Sequence, residues 1–280
     1  MKKILIVYPH NFFETTSGIN KMFYNLAVYL KSKKYTVDLL SLKNFEYQWK
    51  ENSPIDKKIV TNLYLYDFRT IKNTNPSLPD LVDDSMRAYF KDIVLKNEYS
   101  HILISYVFWA NLIGDPAFTH VKKIVSINDF LTFQLKTDAQ TSDEIAKMLG
   151  EEIKRINLFD IAISISEFEY AFFSQLTSRP KHYLIPIFTN TPKRANKKEK
   201  YDIGFIGFDN KHNISGMSWF LKEVWPKLKN KKMIIVGKIV EQIDIPKSDD
   251  ITCIPYLSEL SELYSQVKLM VSPLFTKTNW

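Results

Sequence analysis

Residues 202–226, DIGFIGFDNKHNISGMSWFLKEVWP, read in order as a strand, a polar loop and a helix. Ile203, Phe205 and Ile206 form a short apolar run that stops at Gly207. The loop that follows, Phe208 to Asn213, carries Asp209, Asn210, Lys211 and His212. From Ile214 onward Met217, Phe220, Leu221, Val224 and Leu228 recur at spacings of three and four, which sets them on one stripe of a helix over 214–229. A strand that feeds a helix N-terminus through a lysine-bearing loop suits an anion, because the first N–H groups and the helix dipole both favour negative charge. Gly207, Lys211 and Asn213 are therefore candidate phosphate contacts.

Downstream, strands over 202–206, 233–236, 251–254 and 268–272 alternate with helices over 214–229 and 258–266. Gly237 and Lys238 follow a strand and form a second candidate contact. Two lysines placed after successive parallel strands, Lys211 and Lys238, can converge on one diphosphate. The same alternation runs upstream. Ile4 to Tyr8 is a near-continuous apolar run, as expected of a central parallel strand buried on both faces. The loop 9–17 leads to Gly18, a helix with Ile19, Phe23, Leu26, Ala27 and Leu30 inward, and a second strand over 37–40. At Thr16-Ser17-Gly18 the choice lies between an ordinary N-cap and a backbone that a ligand approaches closely.

Strands are expected over 59–66, 101–107 and 121–127, with helices over 81–95 and 143–158. The third of these strands ends at Asn128-Asp129. Open α/β sheets bind ligands outside the carboxyl ends of their strands, which makes both residues candidates for chemistry. Asp129 reads equally as the N-cap of a helix starting at Phe130. Ser166 and Glu169 have capping-box spacing, and 75–79 is a loop. The aromatic residues Trp49, Tyr64 and Tyr66 read as core, with acceptor contact as the alternative. Residues 191–200, TPKRANKKEK, carry no apolar periodicity. The division that follows is an N-terminal domain over 1–188, a basic linker over 189–200 and a second domain over 201–280.

The composition sets further bounds. With 280 residues, 45% hydrophobic and 14% aromatic, the chain can bury two moderate cores. The one cysteine, Cys253, excludes an internal disulfide and a cysteine-based zinc site, and fits a reducing, cytoplasmic setting. The opening MKKILIVY stops at Pro9-His10, too short for a signal peptide. No apolar run reaches the roughly 18 residues of a membrane span. A net charge of +7 serves solubility or, alternatively, attraction to the inner, anionic face of a membrane. No stacking aromatics interleave with the basic run, which argues against nucleic acid.

The stretch 207–226, MIIVG at 233–237 and IPYL at 254–257 are similar to the donor-side domain of GT-B glycosyltransferases of the retaining family 4 type. NLAVYLKSKKYTVDLL at 25–40 and DIAISISE at 160–167 resemble segments of the partner domain in that family. The resemblance implies an α/β chain of two Rossmann-like domains flanking a cleft, and transfer of a sugar from a nucleotide-diphosphate sugar to a glycan or lipid-linked acceptor. It implies retention of configuration, no cofactor and no bound metal, since helix N-termini and basic side chains stabilise the leaving diphosphate. Gly18 would belong to the family's glycine loop, with Ser17 in place of a first glycine. Asn128 stands where the family often has histidine, and Asp129 matches. After Ser272 the family continues into a glycine-rich turn and a helix with two glutamates, so the second domain is expected to be incomplete. Whether the 280 residues are active stays open at this level, as does the oligomeric state. Cell-surface polysaccharide or glycoconjugate synthesis is the setting implied. The alternatives are a non-catalytic nucleotide-sugar or glycan-binding relative or fragment, and a sugar-nucleotide epimerase of the same fold.

Overall fold

The computed structural model describes residues 2–14, 17–43, 49, 53, 55–68, 78–137, 139–187, 199–257 and 260–274. Most of the linker expected over 189–200, the loop residues 75–77 and the last six residues lie outside them. The chain divides into two compact units, Met1–Thr189 and Asn190–Trp280.

The first unit is built on seven strands, β1 (Lys3–Val7), β2 (Thr36–Lys43), β3 (Asn62–Asp67), β4 (His101–Ser105), β5 (Lys122–Ile127), β6 (Ile161–Ser164) and β7 (Lys181–Leu184). They form one sheet in the order β3-β2-β1-β4-β5-β6-β7, with every neighbouring pair parallel. The crossovers include α1 (Gly18–Ser32), α2 (Asp84–Leu95), α3 (Leu131–Leu135), α4 (Ser142–Ile156) and α5 (Glu167–Leu176). Successive residues of β1 alternate between two cores. Leu5 and Val7 pack with Phe90 of α2, while Ile4 and Ile6 pack with Phe23 and Ala27 of α1. A strand covered on both sides must be apolar throughout, which is the reason the run from Ile4 onward does not alternate. The strand order reverses between β1 and β4, so ligands are expected outside the carboxyl ends of these strands.

The second unit repeats the plan with β8 (Tyr201–Ile206), β9 (Met233–Val236), β10 (Ile251–Ile254) and β11 (Val267–Met270), in the order β10-β9-β8-β11 and again all parallel. Its helices are α6 (Lys211–Trp219) and α7 (Leu260–Gln266). Phe205, Met233 and Ile235 pack against Met217 and Phe220 on one face, and Ile234 and Val236 pack against Leu263 on the other.

Several boundaries differ from the sequence reading, two of them for reasons visible in the bonding. The helix expected over 214–229 starts at Lys211 because Asn210 caps it, Oδ1 accepting from the N–H groups of His212 and Asn213. It leaves α geometry after Trp219 for a π-type turn at Phe220–Val224 and a 3-10 turn at Trp225–Lys227. Pro226 is the physical reason: it has no N–H for the carbonyl of residue 222, and its ring crowds that carbonyl. The third strand runs from Asn62 rather than residue 59. The N–H groups of Ile59 and Val60 both donate to the Asp56 carbonyl in a turn, and their buried side chains join the α1 side of the core.

Candidate active site

At the carboxyl end of β5 the two candidates adjoin but play different parts. Asn128 is buried, accepting a hydrogen bond from Ser126 Oγ at 2.8 Å and donating from Nδ2 to Ser105 Oγ at 2.9 Å. The amide thus ties β5 to the end of β4. Asp129 is partly buried and makes no hydrogen bond or ion pair among the described residues. Burial, then the nearby Glu169 and Glu152 carboxylates, push its carboxyl up to about 6.

The expectation that Asp129 caps the following helix is replaced by a different arrangement. Phe130 occupies the cap position of α3 and contributes no side-chain bond there. Glu152 of α4 accepts instead from Leu131 N–H and Thr132 N–H, both at 2.9 Å, and from Thr132 Oγ at 2.6 Å. Glu152 is wholly buried, and burial raises its carboxyl against the lowering effect of those three bonds. Glu169, also raised by burial, closes the capping box of α5 with Ser166 as the spacing predicted. Phe130 extends this wall, its ring 4.7 Å from that of Phe172 and 4.8 Å from that of Phe173.

One further feature of this edge was invisible in the sequence. Tyr106, directly after β4, has φ 67° and ψ 141°. A bulky residue there carries strain of order 1–3 kcal/mol, and such strain concentrates at functional sites. Glu152 did leave a trace: it is a carboxylate at a helical spacing otherwise occupied by Met148, Leu149 and Ile156.

After β1, Ser17 is the N-cap of α1, its Oγ accepting from Asn20 N–H at 3.2 Å. Gly18 is exposed, and a Cβ there would meet no atom within 4 Å. No packing demand of the described residues therefore requires a glycine. In the same loop Asn11 is fully buried with Nδ2 unpartnered among the described residues, while its Oδ1 accepts from Phe13 N–H.

In the second unit the loops after β8 and β9 meet. Gly237 has φ 111°, and a Cβ on it would overlap the Gly207 carbonyl oxygen. Only glycine suits a position with both constraints. A Cβ on Gly207 would in turn strike the Phe205 ring. Lys238 lies with Nζ 5.4 Å from the centroid of the Phe208 ring, a cation–π contact between the two loops. Asn213 Nδ2 donates to the Phe208 carbonyl at 3.0 Å and so fixes the first loop. Lys211, on the first turn of α6, is exposed. The structure therefore brings Gly207, Asn213, Gly237 and Lys238 together through Phe208, and leaves Lys211 beside them on the helix. Gly216 answers to packing, since a Cβ there would overlap the carbonyl of Pro273.

Among the described residues no group of three or more His, Cys, Asp or Glu side chains is arranged to hold a metal ion, and no helix is long and apolar enough to cross a membrane. A cavity of about 390 Å³ beside α2, lined by Arg87, Lys91, Asn111 and Asp115, includes none of the candidate residues.

No protein-family model matches the chain, and no curated protein matches it. Solved structures do. Sucrose-phosphate synthase from Thermosynechococcus elongatus superposes with a TM-score of 0.68 at 15% identity, over 98% of this chain and 76% of that one. A glycosyltransferase from Rickettsia africae gives 0.61 at 12% identity, over 98% and 73%. An alpha-glucosyltransferase in complex with UDP and a 13-mer DNA gives 0.54 at 13%, over 96% and 71%. The fold is GT-B, with two Rossmann-like units. At these identities the likeness concerns the fold, and function has to be argued from the sites.

Proposed function

We propose that this chain is a glycosyltransferase that takes its sugar from a nucleotide-diphosphate donor held by the second unit. The observation that carries the reading is the junction of the loops after β8 and β9, where two sterically required glycines bring backbone close together next to Lys238 and the N-terminus of α6. A lysine and a helix dipole at the carboxyl ends of parallel strands suit a diphosphate, whose developing charge they stabilise as the sugar departs. Among the solved structures of this fold, alpha-glucosyltransferase structures hold UDP or UDP-glucose. In the first unit Asp129 supplies a carboxylate not engaged by other described residues, available to an acceptor hydroxyl. Transfer proceeds with retention and without a metal, onto a glycan or lipid-linked acceptor, in polysaccharide or glycoconjugate synthesis in the cytoplasm.

The test is a melting panel against UDP, GDP, dTDP, CMP and their sugar conjugates, with Lys238→Ala and Lys211→Ala alongside. One nucleotide class is expected to raise the melting temperature, by the equivalent of about 2.7 kcal/mol at 100 times its dissociation constant. Lys238→Ala should abolish the shift. Labelled-sugar transfer from the donor so identified then reports on Asp129→Asn, which should lose transfer and keep the melting shift. A chain that melts cooperatively yet responds to no nucleotide has no donor site, and the proposal fails.

A further inference from the structure

An aspartate just before a helix ordinarily caps it, its carboxylate accepting from the N–H groups two and three residues on. For Asp129 those donors are Leu131 and Thr132. Both are taken by Glu152, which reaches them from α4, some twenty residues further along the chain. The third bond, from the Thr132 hydroxyl, holds the glutamate carboxylate in that position. Burying a whole carboxylate is costly even when it is well bonded. As far as α3 is concerned the cost is avoidable, because Asp129 lies in sequence where an aspartate can cap the helix and is only partly buried. The arrangement changes one thing: Asp129 is left without a donor.

We infer that Glu152 is a positioning residue, which by occupying the two N–H donors of α3 withholds them from Asp129 and keeps the Asp129 carboxylate unbonded for substrate. The inference rests on reading Asp129 as the acceptor-side group. Asn128 fixes the backbone immediately before Asp129 to β4, and Glu152 fixes the backbone immediately after it to α4. Between these anchors the carboxylate faces Glu152 from α4 and Glu169 from α5.

The test is an NMR titration of the full chain that follows the Asp129 carboxyl carbon, assigned by its loss in Asp129→Asn, together with the amide protons of Leu131 and Thr132. In the wild-type protein neither amide should share the Asp129 midpoint, expected near 6. In Glu152→Gln, which keeps the volume but offers only one acceptor oxygen, Asp129 should take a freed donor. Its proton affinity should drop about tenfold or more, and one of the two amides should acquire its midpoint. The coupled titration should vanish in Asp129→Asn/Glu152→Gln. Wild-type amides that already titrate with Asp129 overturn the inference whether or not the variant folds. So does a folded Gln variant in which neither amide adopts the Asp129 midpoint. Transfer kinetics add a second readout: Glu152→Gln should lower kcat and leave the donor KM unchanged. The NMR arm contains no donor or acceptor. Absence of transfer by the wild-type chain would therefore sink the transferase reading and leave the Glu152 result standing.

Discussion

The first sheet carries a shielded aspartate near each end, and the two are treated in opposite ways. Asp38, toward the amino end of β2, is fully buried and surrounded by donors. Lys3 Nζ lies 3.0 Å from it, Tyr99 donates its phenol at 2.7 Å, and Asn62 donates from both its backbone and its side-chain amide. Lys3 is held in turn by Asn97 Oδ1 at 2.7 Å. Asp129, past the carboxyl end of β5, has two carboxylates for neighbours and no bonded donor among the described residues. A shielded charge that is satisfied on all sides serves the framework. One left unsatisfied costs stability, and the fold retains it where strands end and ligands bind.

The largest test of this contrast is Asp38→Ala. It strips one partner from a half-buried ammonium and leaves the Tyr99 phenol and Asn62 amide without their acceptor, which should destabilise the first unit by about 2–4 kcal/mol in urea unfolding. Asp129→Asn should act with the opposite sign. A carboxyl raised to about 6 in the folded state binds more protons than the unfolded chain between roughly pH 4 and 6, so its contribution to stability falls as pH rises through that window. The amide cannot ionise. The variant should therefore match wild type near pH 4 and exceed it by about 1–3 kcal/mol at pH 7 and above. Glu152 and Glu169, raised in the same direction by burial, add to the wild-type loss of stability as pH rises. A neutral-pH loss in Asp129→Asn would place Asp129 with Asp38 among framework groups.

How much of this was readable beforehand differs between the two ends. Parallel strands buried on both faces announce themselves as unbroken apolar runs, so β1 and β9 were legible almost to the residue. The capping box of α5 was too, because Ser166 and Glu169 satisfy each other within one turn. What could not be read is any bond between residues far apart in sequence. Lys3 meets Asp38 and Tyr99, and Glu152 meets Leu131, only after the sheet has assembled. Asp129 was visible as a strand-end residue, yet its freedom from capping depends on a residue in another helix. In the second unit the glycines were singled out as loop residues. Their actual constraints, the Gly207 carbonyl against Gly237 and the Phe205 ring against Gly207, are properties of three-dimensional packing that spacing does not encode.

Asn128 makes the contrast sharpest, since it adjoins Asp129 yet has the bonding of Asp38. It stands at a position where a ligand-facing polar group was expected, and its side chain is instead committed at both ends, to Ser126 and to Ser105. If that commitment is its whole role, Asn128→Ala should leave two buried hydroxyls short of a partner and cost about 1–2 kcal/mol, the range for losing one side of a neutral buried network. The loss should be the same from pH 5 to pH 8, because nothing in the Ser–Asn–Ser chain titrates. That flat profile, set against the pH-dependent gain of Asp129→Asn, would divide framework from site between two consecutive residues. A loss that instead grows as pH falls toward 5 would show that removing Asn128 disturbs the Asp129 carboxyl, and would move the boundary of the site one residue back into β5. Transfer activity locates the same boundary: a framework asparagine affects it only through stability, so Asn128→Ala should keep most of its turnover at a temperature well below its melting point.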